Sequence, residues 1–161
     1  MAEIQLQFVL TPGFSSWAIS WFSAGHLSHV DCVLPSGHLL GARSDKVGGE
    51  PAGVQIRPPN YEKFSSRVIF TIPATDAQST AYYAFLDAQL GKPYDSEAIW
   101  AFAFNRDWRE DDSWICSELQ AAALIAANRV PPLFLASNKI TPEALALMAS
   151  AIGATFVAGP S

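Results

Sequence analysis

From Trp114 to Ala127 the chain has neither glycine nor proline, is dominated by alanine and leucine, and follows the polar run Asp111-Asp112-Ser113. This pattern predicts a helix with Ser113 as its N-cap oxygen and Asp111 or Asp112 as alternatives. The assignment constrains the fold more than any other stretch does, because it sets Cys116 in the first helical turn. Unpaired backbone N–H groups and the positive end of the helix dipole favour an anion there, so a thiol in that turn ionises more readily than one in mid-helix. A thiolate is a nucleophile. The plainer alternative is a small buried hydrophobe, the common fate of a free cysteine.

With 161 residues, half of them hydrophobic, the chain is expected to form one domain over 1–161 with a substantial core. Ten Lys+Arg against fifteen Asp+Glu give a net charge of −5 without a basic run, which argues against nucleic acid as a partner. The first residues lack the basic and apolar regions of a signal peptide, and no apolar run approaches the roughly 18 residues of a membrane span. The expectation is a domain without a transmembrane segment, placed in the cytoplasm or on a phage particle. Two cysteines, Cys32 and Cys116, are too few for a disulfide framework, and three histidines without ligand spacing imply neither metal nor cofactor.

Residues 4–10 alternate before running apolar and predict a strand, followed by an aromatic helix over 14–24 carrying Trp17 and Trp21. Residues 28–34 and 38–43 read as a hairpin about Pro35-Ser36-Gly37. Further strands are expected at 54–57 and at 67–72, the latter ended by Pro73. The period then turns helical. Thr75 and Gln78 fit a capping box, with Ala81, Phe85 and Ala88 as the inward stripe and Gly91 and Pro93 as the stop. A second apolar helical piece over 96–104, a polar loop over 105–113, the Cys116 helix, a Thr141-capped helix with Leu145, Met148 and Ile152 inward, and an edge strand over 155–158 complete the chain. Strands first and helices after suggest α+β with a mainly antiparallel sheet packed against the helix carrying the cysteine.

A nucleophilic cysteine needs a base, and His29 at the start of a strand is the best candidate, with an ordinary pKa of roughly 6.5. His26 and His38 are expected at the surface. By the two-residue period His29, Asp31 and Val33 share one strand face, while Val30, Cys32 and Leu34 share the other, which assigns Cys32 to the core. Pairing Pro35 with His38 would set His29 opposite Ser44 and Asp31 opposite Ala42, and a one-residue slip would bring Arg43 or Asp45 opposite His29 instead. Asp31 lies two residues along from His29, about 7 Å in backbone terms, which is long for a direct bond.

Ser28-His29-Val30, the return ending near Gly41-Ala42, Gly91-Lys92-Pro93-Tyr94-Asp95, Trp114-Ile115-Cys116-Ser117-Glu118-Leu119 and Ile140-Thr141-Pro142 together resemble a circularly permuted NlpC-type papain-fold protein of the YiiX-like group. The histidine precedes the cysteine, the reverse of ordinary NlpC-type cell-wall peptidases and the order of the lecithin:retinol acyltransferase-like proteins. The resemblance spans roughly residues 26 to 145 and implies a papain-like fold and thiol chemistry. It makes Cys116 the nucleophile, His29 the general base and acid, and Tyr94 a neighbour of the cysteine that helps hold the site or an oxyanion; the strand face and hairpin register add Asp31 and Ser44 as supporting residues, in place of the polar third member the family usually carries on the following strand. The implied activity is a cysteine hydrolase cleaving an amide bond in a peptide or peptidoglycan fragment. Acyl-lipid chemistry on the same constellation, or a non-catalytic phage or virion component, are the alternatives, and oligomeric state is left open.

Overall fold

The computed structural model describes residues 2–10, 27–95, 114–133 and 140–158. Six strands form one antiparallel sheet: β1 (Ala2–Leu10), β2 (His29–Val33), β3 (Leu39–Arg43), β4 (Gly53–Arg57), β5 (Ser66–Ala74) and β6 (Thr155–Ala158). Their order across the sheet is β4-β3-β2-β1-β5-β6, every pair antiparallel. Among the described residues three helices accompany it, α1 (Asp76–Asp87), α2 (Cys116–Ala126) and α3 (Pro142–Ala151). The architecture is α+β. None of these helices is long and apolar enough to cross a membrane.

One face of the sheet is apolar. Ile4, Leu6 and Phe8 of β1, Val30 and Cys32 of β2, Leu40 and Ala42 of β3, Val54 of β4, and Phe70 and Ile72 of β5 belong to a single core cluster. Side chains two apart on a strand share a face, and the antiparallel register sets Leu6 beside Cys32 and Phe8 beside Val30, so these rows merge. Helix α2 lies against β2 and β3, α1 against β1 and α2, and the fully buried Leu86, Leu119 and Leu124 close the layer. Burying each such leucine contributes about 2 kcal/mol.

Several local expectations shift by a residue or two. The hairpin closes with three residues, not two: Leu34 and His38 pair, with the Leu34 N–H donating to the His38 carbonyl at 2.8 Å, and Gly37 takes a φ of 82°. A three-residue loop with glycine in the left-handed region moves the register by one, so Cys32 faces Leu40 and Val33 faces Leu39. Strand β5 runs on through Pro73, opposite Glu3. β6 pairs only with Val68 to Thr71, so on that side the proline lacks a neighbour that would need its missing N–H. In α1 the capping box is formed, with Thr75 Oγ1 accepting from the Gln78 N–H and Gln78 Oε1 from the Thr75 N–H, but the buried side chains are Tyr82 and Leu86 while Ala88 is exposed. Of the expected stripe, Ala81 and Phe85 are half-buried and pack against the core, while the helix, set between sheet and α2, fully buries the larger Tyr82 and Leu86. α3 is capped by Thr141 and buries Leu145 and Ala149, with Met148 and Ile152 half-buried. The expected helix over 14–24 with Trp17 and Trp21, the helical piece over 96–104, the loop over 105–113 with Asp111, Asp112 and Ser113, and His26 lie outside the described residues.

Candidate active site

Helix α2 begins at Cys116 itself, two residues later than expected. Its N-cap is Ile115, which offers no side-chain oxygen. Trp114 is extended instead of helical because it is clasped: its N–H donates to the Pro93 carbonyl at 3.1 Å and its carbonyl accepts from the Asp95 N–H at 3.2 Å, a parallel bridge that sets Tyr94 beside Trp114. The clasp is fastened to the sheet edge, since the Val54 N–H donates to the Lys92 carbonyl and the Gly91 N–H to the Val54 carbonyl, both at 2.9 Å. Gly53, with a φ of 108°, lets this happen; a Cβ there would stand 2.4 Å from the Lys92 oxygen. The rotation of α2 is set by Gln120, whose Nε2 donates to the Leu40 carbonyl at 3.1 Å and whose Oε1 accepts from the Tyr82 hydroxyl. Gln120 lies one helical turn after Cys116, so anchoring it fixes the direction in which the thiol points.

Opposite the thiol stands His29. The Cys116 sulfur favours the positive charge of its imidazole. Nε2 of His29 donates to Asp31 Oδ1 at 2.8 Å, because an ionised carboxylate can only accept. That leaves Nδ1 as the nitrogen for Cys116. The direct His29–Asp31 bond corrects the separation expected from backbone spacing. Neighbours on one strand face lean together, the imidazole is long, and the carboxylate has room, because a Cβ on Gly41 would lie 1.9 Å from Asp31 Oδ1. Continuing the observed hairpin register sets Gly41 opposite Asp31 and Arg43 opposite His29. Ser44, expected across from His29, is exposed beyond the end of β3 and is not a partner of His29.

The second oxygen of Asp31 accepts from the Tyr61 hydroxyl at 2.8 Å. Arg43 Nη1 donates to that hydroxyl at 3.3 Å, and Arg43 also grips Asp45 through Nε and Nη2 and Glu62 through Nη1. Tyr61 sits in an irregular segment between β4 and β5, where no periodicity marks it; only its place across the sheet face reveals it. Arg57, nearly sealed from solvent, gives hydrogen bonds to the carbonyls of Gly41, Val47, Pro51 and Gly53 and holds the loop before β4. Both belong to the site's frame and neither is legible as such in the sequence.

The electrostatics follow from burial and pairing. Burial disfavours a charged His29, but the Asp31 charge, the Cys116 sulfur and hydrogen bonds to both outweigh it and raise its pKa to about 9. Burial likewise pushes the Asp31 carboxyl up, and His29, Tyr61 and Arg43 together bring it below its ordinary value. Burial, then the Cys116 charge, carry the half-buried Tyr94 hydroxyl well above 10, so it remains a donor. Cys32 is different: burial pushes its thiol up, and its polar neighbour is Tyr82 in the core. Among the described residues no group of three or more His, Cys, Asp and Glu is placed to hold a metal ion.

No protein-family model matches the chain, and comparison with curated proteins finds no match.

Proposed function

We propose that the chain is a cysteine hydrolase that cleaves an amide bond through a thioester on Cys116, in the manner of the permuted NlpC-type papain fold that its motifs resemble. The observation that carries this reading is the Cys116–His29–Asp31 array: a thiol at the first residue of a helix, an imidazole interacting with it, and a carboxylate 2.8 Å from the far ring nitrogen. Nδ1 of His29 takes the thiol proton, and the sulfur attacks the carbonyl carbon. The Cys116 backbone N–H, at a helix start without a side-chain cap, and the Tyr94 hydroxyl, whose ionisation the Cys116 charge opposes, serve as donors to the developing oxyanion. The imidazolium then protonates the departing amine as the C–N bond breaks. Water, giving its proton to His29, attacks the thioester and returns the acid and the free thiol. Asp31 keeps the ring oriented and offsets its positive charge throughout.

The proposed substrate is a peptide of peptidoglycan type, on the strength of the resemblance. The test incubates the protein and Cys116→Ala with purified muropeptides, and separately with phospholipids and thioesters, following new amines in one series and released acyl chains in the other. Cys116-dependent amines are expected, falling by several orders of magnitude in the variant. Acyl release with untouched muropeptides would replace the amidase reading with acyl transfer, and no turnover in either series by a folded protein would leave a binding or virion role.

A further inference from the structure

We propose that Tyr61 is a positioning residue of this site, fixing the Asp31 carboxylate from behind so that its other oxygen holds His29 at the angle facing Cys116. The proposal rests on the reading of Cys116 and His29 as the reacting pair and adds a residue to it. A carboxylate bonded through one oxygen alone can swing about its Cβ–Cγ bond, and a swing of the carboxylate swings the imidazole. Here both oxygens are taken, Oδ1 by His29 and Oδ2 by Tyr61, each at 2.8 Å. The far side is closed by the bare Cα of Gly41, which leaves the carboxylate a fitted slot.

Tyr61 is itself held. Arg43 donates to its oxygen, the guanidinium groups of Arg43 and Arg57 lie 5.4 and 6.0 Å from its ring centre, and Phe64 meets it edge-on at 5.5 Å. The hydroxyl stays protonated, since burial and the Asp31 charge both oppose its ionisation. It is therefore a permanent donor, which a second acid or a histidine at this place would not be. Among the described residues, the charged and titratable groups around the pair are Asp31 on β2, Arg43 on β3 with Asp45 and Glu62 as its partners, Arg57 on β4, and Cys116 on α2 with Tyr94.

Tyr61→Phe removes the donor and keeps the ring between Arg43, Arg57 and Phe64. The experiment follows the His29 imidazole by NMR across pH, and the rate of Cys116 alkylation by iodoacetamide, in the native protein, Tyr61→Phe, Asp31→Asn and the double variant. Tyr61→Phe is expected to lower the pH at which His29 loses its proton by about one unit and to slow alkylation at neutral pH about 10-fold. In the Asp31→Asn background the same change is expected to add less than about 2-fold, because a residue that acts through Asp31 has nothing left to act on. A Tyr61→Phe protein that titrates and reacts like the native one, or effects that add fully in the double variant, overturn the proposal. Should Tyr61→Phe fail to fold, tyrosine Cζ NMR of the native protein decides: Tyr61 ionising at its ordinary value of about 10 overturns the proposal, and its staying protonated there supports it. If His29→Ala leaves the native alkylation rate unchanged, the Cys116–His29 reading falls and Tyr61 with it; if only Tyr61→Phe is silent, the pair stands and Tyr61 alone falls.

Discussion

Strand β2 presents two faces that differ in kind. Val30 and Cys32 enter a continuous apolar layer in which shape is the whole requirement. His29 and Asp31, one residue out of phase with them, enter a layer beside Gln7 in which directed hydrogen bonds and ion pairs join Gly41, Arg43, Tyr61 and Arg57. Yet both layers are sealed: Cys32 and Val30 are 0% exposed, and Asp31 and Arg57 1%. The apolar face tolerates exchange of one methylene for another at modest cost. The polar face does not, because a buried charge that loses its partner is left without compensation.

The sharpest test of that difference is Gly41→Ala. The new methyl group would meet Asp31 Oδ1 at 1.9 Å and must expel the carboxylate from its slot. A loss of about 3 kcal/mol is expected, read as a fall in Tm of roughly 10 °C, together with slower alkylation of Cys116. An unchanged Tm with unchanged thiol reactivity would mean that the slot holds nothing in place.

Next in size is the response to pH. The folded-state pKa of His29, about 9, exceeds its ordinary 6.5, so its contribution is complete below the ordinary value and is lost as pH rises through about 9. The bound is roughly 3 kcal/mol over that window. Asp31 behaves in the opposite sense: its carboxyl is held below the ordinary value, so its contribution is present above that value and lost as pH falls through the lowered one. Urea midpoints from strongly acidic to alkaline pH should therefore describe a plateau with two falling sides. The alkaline side should flatten in Asp31→Asn, and a native protein without an alkaline fall would refute the charge pairing.

The smallest effects come as a pair of opposite sign. Cys32→Ser puts a hydroxyl into the apolar layer and should cost about 1 to 2 kcal/mol. Gln7→Met should gain about 1 kcal/mol, because the amide nitrogen of Gln7, a residue in register with Asp31 and 2% exposed, has no hydrogen-bond partner among the described residues. Chemical denaturation of both variants measures the contrast, and effects of the same sign would dissolve the distinction between the faces.

How far the sequence disclosed these faces depends on the range of the interactions involved. Alternation in residues 4–10 and 28–34, the Thr75 and Thr141 caps and the edge strand at 155–158 are local patterns, and they are legible. The hairpin register turned on a single loop residue, and the α1 face on which neighbour the helix meets. Cys116 and His29 stood out by type and position, and Tyr94 through the resemblance alone. Tyr61, Gly41 and Gln120 did not, since each matters through one partner distant in the chain: Asp31, Asp31 and Leu40.

At the threshold of β2, the Leu27 N–H donates to Glu143 Oε1 at 2.7 Å, joining the residue next but one before His29 to the first turn of α3. The strand bearing the imidazole is thus moored to the last helix of the described chain. For a polypeptide emerging from the ribosome, the strand exists long before its mooring, and contacts of such long sequence separation form late. A nascent chain that has already exposed both Cys116 and His29 still lacks the helix that tethers the approach to β2. The geometry proposed for catalysis is therefore complete only once α3 has joined the sheet.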